Sequence, residues 1–186
     1  MNDYLSVTEF PGEMVPSEQV ERISHRYFWS KEYCKEKDVV EVACGSGFGI
    51  DYLYSISKSF VAGDYSAEIV EIAKSNVRNN VSIAQYSAEN MPYDDNSKDV
   101  ILIFEAIYYL DDLRNFLYEC KRVLREKGTI LIVTANKDLY DFNPSPFSTK
   151  YLSLKELYGD QRISAAVISR SARNWWQQLE INKGAK

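Results

Sequence analysis

Between Val39 and Thr134 five short apolar runs alternate with polar stretches, three of which carry apolar residues at helical spacing. That alternation narrows the fold more than any other feature. Val39-Val40-Glu41-Val42-Ala43 is apolar at both odd and even positions, so it has no solvent face and reads as a strand covered on both sides. Residues 60–63, 81–86, 99–104 and 129–134 supply four more strands. Helical signals separate them. Ile50, Leu53, Tyr54 and Ile56 recur within residues 48–58, and Ile69, Val70, Ile72, Ala73 and Val77 follow Ser66. Leu113, Phe116, Leu117, Cys120, Val123 and Leu124 follow Asp111 and Asp112. Ser66 and either aspartate are residue types that cap helix N-termini, and Gly128 is expected to end the third helix. Repeated strand–helix units of this kind build a doubly wound, mostly parallel sheet with helices on both faces. Ligands are expected at the carboxyl ends of its strands.

The flanks are read more coarsely. Val20, Ile23, Tyr27, Phe28 and Tyr33 predict an amphipathic helix over residues 17–35 that lies on the core. Residues 135–150 combine Asn, Asp, Pro and Ser with aromatics. Ser153 and Glu156 form a helix-start pattern, and residues 163–168 and 175–181 are expected strands. The 186 residues therefore read as one domain: a helical cap (1–37), a core (38–134), and an acceptor-side loop with an atypical end (135–186). At 45% hydrophobic and 26% charged, the chain is neither disordered, collagen-like nor a coiled coil. Its net charge of -5 opposes nucleic acid as a partner, since phosphate would be repelled. No apolar run approaches the roughly 20 residues of a membrane span, and residues 1–4 do not resemble a secretory leader. Three scattered cysteines without C-x-x-C spacing suggest reduced thiols, and a cytoplasmic location is expected. A single histidine, His25, argues against a His-based metal site and a Ser-His-Asp triad, so no metal is expected.

The chemistry concentrates at the first strand-to-helix turn, Glu41-Val42-Ala43-Cys44-Gly45-Ser46-Gly47-Phe48-Gly49. Glycines there permit positive φ and close approach of a ligand, while the next helix offers free amides and the positive end of its dipole. Asp64 ends the second strand nineteen residues after Gly45. A carboxylate at that place suits ribose hydroxyls lying across the sheet. Each feature alone also suits a plain glycine turn or a helix-end acid, but their combination is more specific.

These residues carry a resemblance. Residues 41–49 resemble motif I of class I S-adenosylmethionine-dependent methyltransferases, and Gly63-Asp64-Tyr65-Ser66 is similar to their acidic second-strand motif. Ser87-Ala88-Glu89-Asn90-Met91-Pro92-Tyr93 resembles their third-strand loop. Residues 99–110 resemble their fourth-strand motif, and residues 121–128 their R-V-L-K-P-G-G segment. The match runs from about residue 38 to 134 and is similar to the type 11 small-molecule group. It implies a Rossmann-like methyltransferase fold, with S-adenosylmethionine as cofactor and S-adenosylhomocysteine as product. Further implied are Ala43, Gly45 and Gly47 along the methionine portion, Glu41 also among the cofactor-binding residues, Asp64 on the ribose, and Tyr65 beside the adenine. Ala88 and Glu89 are placed at the adenine edge and Glu105 at the methionine end. Ser87 stands where many members carry an adenine-binding Asp. Weaker likenesses at residues 11–16 and at His25-Arg26-Tyr27 point to glycan-assembly relatives. There Arg26 is expected on the cofactor carboxylate and Tyr27 over the pocket.

The implied reaction is in-line methyl transfer to a small-molecule acceptor, such as a sugar or glycan precursor. Aligning nucleophile and methyl can supply roughly 7–11 kcal/mol. Tyr108, Tyr109, Tyr140, Phe142 and Tyr151 are expected on the acceptor side. His25, Tyr108 and Asp141 are the base candidates, although tyrosine at a pKa of about 10 is a poor base. Two alternatives remain: a cofactor-binding or truncated methyltransferase-like chain without catalysis, and a Rossmann-type NAD-dependent oxidoreductase. The G-x-G-x-G spacing counts against the latter. The tail predicts that at least one strand of the family sheet is missing, displaced or supplied by a second chain, and that a homodimer covers Trp175 and Trp176.

Overall fold

Buried β-branched runs form strands, and the order in which they enter the sheet decides where a ligand can lie. The computed structural model describes residues 8, 17–135, 137 and 144–151, and two strands at 165–169 and 177–180. The elements run α1 (Ser17–Cys34), β1 (Asp38–Val42), α2 (Ile50–Tyr54), β2 (Ser59–Asp64), α3 (Ala67–Asn76) and β3 (Ser82–Gln85). They continue through β4 (Lys98–Phe104), a 3-10 turn (Ile107–Tyr109), α4 (Leu113–Val123), β5 (Leu124–Thr134), β6 (Ala165–Ser169) and β7 (Gln177–Glu180). All twelve described elements serve one seven-stranded sheet of order β3-β2-β1-β4-β5-β6-β7. Every neighbouring pair is parallel except β6–β7. The chain builds outward from β1 to β2 and β3, then returns to place β4 on the other side of β1. The crevice between β1 and β4 is thus the topological switch point.

Three expectations are corrected. The sheet does not lack a strand: β6 overlaps the strand expected over 163–168, β7 lies within the one expected over 175–181, and both are paired. The missing-strand motive for a homodimer falls with it. Trp175, Trp176, Tyr140, Asp141, Phe142 and the Ser153–Glu156 helix start lie outside the described residues. The helix expected over residues 48–58 is only Ile50–Tyr54. Gly128 does not end α4, which stops at Val123 when Leu124 turns extended (φ −73°, ψ 138°). Gly128 instead lies within β5, where the register with β4 shifts between Lys98 and Val100.

Strand alternation divides the core into two layers. Val39, Val100, Leu102 and Leu131 pack under α1, α2 and α3, against Ile23, Tyr27, Cys34, Ile50, Leu53, Val70 and Ala73. Val40, Val42, Ile101, Ile103, Ile130 and Ile132 face α4 through Phe116, Cys120 and Val123. Burying each such aliphatic side chain stabilises by about 1.5–3 kcal/mol relative to exposure. The expected caps form. The Ser66 hydroxyl accepts from the Ile69 amide at 3.4 Å, and Asp112 Oδ1 accepts from Arg114 and Asn115 at 2.9 and 3.2 Å. Arg122 on α4 donates to the Met91 and Tyr93 carbonyls, while Glu119 accepts from the Met91 amide. These bonds pin the loop between β3 and β4. No helix among the described residues is long and apolar enough to cross a membrane.

Candidate functional site

The carboxyl ends of β1, β2 and β4 gather acidic groups and unusual backbone. Gly45 and Gly47 adopt φ of +55° and +79°. Two non-glycine residues, Ala43 and Glu105, are also left-handed at φ +51°, immediately after β1 and β4. Such backbone costs on the order of 1–3 kcal/mol and persists where the surroundings hold it, often at ligand sites. The glycines have different tasks. Among the described residues a Cβ on Gly45 would meet only Thr8 Cγ2, at 3.6 Å, an ordinary contact distance. A Cβ on Gly47 would come 3.0 Å from Val77 Cγ2 and 3.4 Å from Ala73 on α3. Gly47 therefore lets the turn approach α3, a role its place in a glycine motif does not reveal. Gly49 admits the Tyr27 ring, which a Cβ would approach to 2.1 Å.

Asp64 is 8% exposed. Its Oδ2 accepts from the Gly45 amide and its Oδ1 from the Ser66 amide, both at 3.1 Å. The acid of β2 is thereby aimed at the glycine turn. Burial raises its pKa, and amide hydrogen bonds from Ser66, Gly45 and Tyr65 oppose the rise. Glu41 shares a strand face with Val39 and is 1% exposed. Tyr27 on α1 donates to its Oε1 at 2.9 Å, but Oε2 has no hydrogen-bond partner among the described residues. Burial lifts the Glu41 carboxyl to about 7, against the pull of the Tyr27 hydrogen bond and the Arg26 charge. A buried acceptor left open costs about 1–3 kcal/mol, so Glu41 holds spare capacity for a donor at this end of the sheet.

Arg26 lies on α1. Its guanidinium lies 5.4 Å from the Tyr27 ring centre and 5.9 Å from that of Phe104. Tyr27 does not stand over a pocket. It is 4% exposed, packs edge-on to Phe104 at 5.3 Å, and commits its hydroxyl to Glu41. Tyr65 presents an exposed ring after β2 (62% exposed), while Ala88 is buried. Ser87 uses its hydroxyl to accept from the Glu89 amide at 3.2 Å. Glu89 departs from the adenine-edge expectation. Its Oε1 accepts from the Asp111 and Asp112 amides at 2.8 and 3.0 Å, which leads the chain into α4. Amide donors near a helix start attract a carboxylate more strongly than solvent does. His25 is exposed and 3.6 Å from Glu21 on its own helix. Asp141 lies outside the described residues.

On the β4 side, Tyr108 is buried and donates to Glu105 Oε2 at 3.3 Å. Its ring stacks on Tyr151 at 4.3 Å and meets Tyr109 at 4.6 Å. Burial, and then the Glu105 charge, push its phenol far above the usual range, so it is a donor and not a base. Thr8 beside Gly45 and Thr149 beneath Tyr108 were not evident from the sequence. Neither has a local motif, because each arrives from a distant segment.

Known proteins resemble this arrangement. Residues 40–132 match the family profile described as "Methyltransferase domain". A Mycobacterium tuberculosis protein named "Probable S-adenosylmethionine-dependent methyltransferase" is 34% identical over 128 residues, which are 67% of this chain and 46% of that protein. A Mycolicibacterium smegmatis protein with a similar name is 31% identical over 141 residues, covering 74% of this chain and 52% of the relative. The chain thus spans about half the length of these curated relatives. Among solved structures, the YcgJ protein of Bacillus subtilis superposes with a TM-score of 0.56 at 26% identity, over 62% of this chain and 53% of that one. An Aquifex aeolicus S-adenosylmethionine-dependent methyltransferase superposes with a TM-score of 0.58 at 24% identity, over 70% and 71%, and supports the fold alone.

Proposed function

The chain belongs to the methyltransferase-domain family matched by its residues 40–132, and from that premise we propose that it binds S-adenosylmethionine and methylates a small-molecule acceptor. The observation that carries this reading is the pairing of two buried acids around one glycine turn. Asp64 is held by the Gly45 amide, and Glu41 Oε2 has no hydrogen-bond partner among the described residues. These residues fit the cofactor: Asp64 would take the ribose hydroxyls, the Gly45 side of the turn the methionine portion, and the exposed Tyr65 ring one face of the adenine. Arg26 is assigned to the cofactor carboxylate. Glu41 anchors Tyr27, and so α1, at the strand ends. Bound there, the cofactor supplies a methyl group already activated on a sulfonium.

The protein's task is then chiefly alignment. Tyr108, Tyr109 and Tyr151 form an aromatic cluster beyond β4, which supports an acceptor with an apolar or sugar face. Ala88 and the main chain of the β3–β4 loop are assigned to the adenine edge, without the Glu89 side chain. All three cysteines are free and buried, in keeping with a cytoplasmic location. Calorimetric titration with S-adenosylmethionine, S-adenosylhomocysteine and NAD tests the reading. Binding of both adenosyl ligands and not NAD is expected. Binding of NAD alone, or of none, overturns it.

A further inference from the structure

Tyr108 appears in the sequence as a poor base, and the structure gives its hydroxyl other work. Glu105 is a non-glycine residue at φ +51°, held in that conformation by its amide donating to the Val133 carbonyl at 2.7 Å. Its carboxylate accepts from the Tyr108 hydroxyl at 3.3 Å. Tyr108 is fixed on several sides. Its ring is stacked on Tyr151 at 4.3 Å, and its carbonyl accepts from both the Thr149 amide at 2.8 Å and the Thr149 hydroxyl at 3.1 Å. Thr149 Oγ1 also reaches the Leu110 carbonyl at 2.7 Å, so residue 149 holds the middle and the C-terminal flank of the 3-10 turn. The Tyr151 hydroxyl accepts from the Ser145 amide at 2.8 Å, and Ser145 in turn meets the Tyr109 hydroxyl. Residues 144–151 are therefore bonded to the turn that follows β4, and the chain of contacts ends at one carboxylate.

We propose that Tyr108 is a positioning residue that orients Glu105 toward a cationic group of the bound cofactor, and that residues 144–151 belong to the cofactor site through it. The inference rests on the S-adenosylmethionine reading above. A left-handed residue at a strand end leaves its side chain few supports from its own strand. A buried neutral phenol supplies one without adding a competing charge. Removing the hydroxyl while keeping the ring leaves the Tyr151 stack in place and releases only the carboxylate.

The test is a double-mutant cycle on the full chain, with calorimetric affinities for S-adenosylhomocysteine, which carries the amino acid ammonium and resists turnover. Tyr108→Phe is expected to weaken binding about threefold to tenfold, the range of one hydrogen bond. In a Glu105→Gln background the same change is expected to have little further effect, because the oriented charge is already gone. A ligand-induced change in the tyrosine ultraviolet spectrum should be present in the native protein and lost in Tyr108→Phe. Thermal melts confirm that each variant is folded. Native affinity in Tyr108→Phe, or an equal loss in both backgrounds, overturns the positioning role while the cofactor reading stands. Failure of the native protein to bind either adenosyl ligand overturns the cofactor reading, and this inference with it.

Discussion

The two ends of the sheet bury the same kind of group and treat it in opposite ways. At the amino ends, Asp38 is buried at the start of β1, where it accepts from the Ser59 hydroxyl at 2.7 Å, Lys58 Nζ at 3.0 Å and Arg125 Nη1 at 2.8 Å. Arg125 also reaches Asp99, whose Oδ2 accepts from the Asp38 amide at 2.9 Å. The hydrogen bonds from Ser59, Lys58 and Arg125 hold Asp38 down at about 2 despite burial. At the carboxyl ends, Glu41 has one oxygen with no hydrogen-bond partner among the described residues and is lifted to about 7. Among the described residues Asp64 accepts hydrogen bonds from main-chain amides alone, and burial raises it as well. Burial of a carboxylate therefore does not mark a ligand site. Unused acceptor capacity does, because a fold under selection for stability alone would fill it.

The contrast can be broken experimentally, and the largest effect is expected where stability and binding are joined. Gly47→Val places a β-branched side chain at φ +79° and against Val77. It should cost about 3 kcal/mol through backbone strain and overpacking. Urea unfolding should register that loss, with cofactor affinity falling in the same variant. A fully stable Gly47→Val protein would mean that the turn does not pack on α3 as described.

Asp64→Ala comes next and is read chiefly in binding, though the Gly45 and Ser66 amides also lose their acceptor. Loss of ribose hydrogen bonds to a charged acceptor is worth roughly 1.5–3 kcal/mol, about tenfold to 150-fold in affinity. Calorimetry checks it, and an unchanged dissociation constant would remove Asp64 from the ribose.

Glu41→Gln should run against intuition and raise stability. The folded pKa of Glu41, about 7, lies above its ordinary 4.5, so the native state holds the proton more tightly than the unfolded chain. Its contribution is complete below about 4.5 and is lost as pH climbs through 7. The variant should match the native protein near pH 5 and exceed it by roughly 2 kcal/mol near pH 8, read by urea melts at both values. Equal stability at pH 8 would mean that Glu41 is already paired.

The smallest effect belongs to the other end of the sheet. Asp38→Asn should cost about 1 kcal/mol at neutral pH, since Lys58 and Arg125 are partly exposed and solvent screens them. The folded pKa is depressed here, so the stabilisation is present above 3.8 and disappears as pH falls through about 2. Cofactor affinity should be untouched. A loss of affinity in this variant would show that the two ends are coupled.

Some of the site was legible before any coordinates. Val39-Val40-Glu41-Val42 announces a buried strand, because no solvent face can be drawn on it. Ser66 and Asp112 announce helix starts, because capping is a bond to amides two or three residues away. Gly45 and Asp64 could be joined by their spacing alone, since β1 and β2 are adjacent and parallel. Local chemistry does not extend further. Glu89 reads as an adenine-edge acid until α4 brings the Asp111 and Asp112 amides to it. Tyr27 reads as a pocket cover until Gly49 is seen to make room for its ring against the core.

What the sequence alone determined, then, is the alternation, the expectation of a ligand at the carboxyl ends of the strands, and the acids beside the glycine turn. All of these follow from periodicity, capping and spacing along the chain. Only the tertiary structure decided which carboxylates are satisfied. Asp38 meets Arg125 across 87 residues, Glu41 meets Tyr27 from a helix before it, and Tyr108 is held by Thr149 from a segment after β5. Hydrogen bonds act over about 3 Å in space and are indifferent to separation along the chain. Whether a buried acid is structural or open to a ligand is therefore set by packing, which no local pattern records.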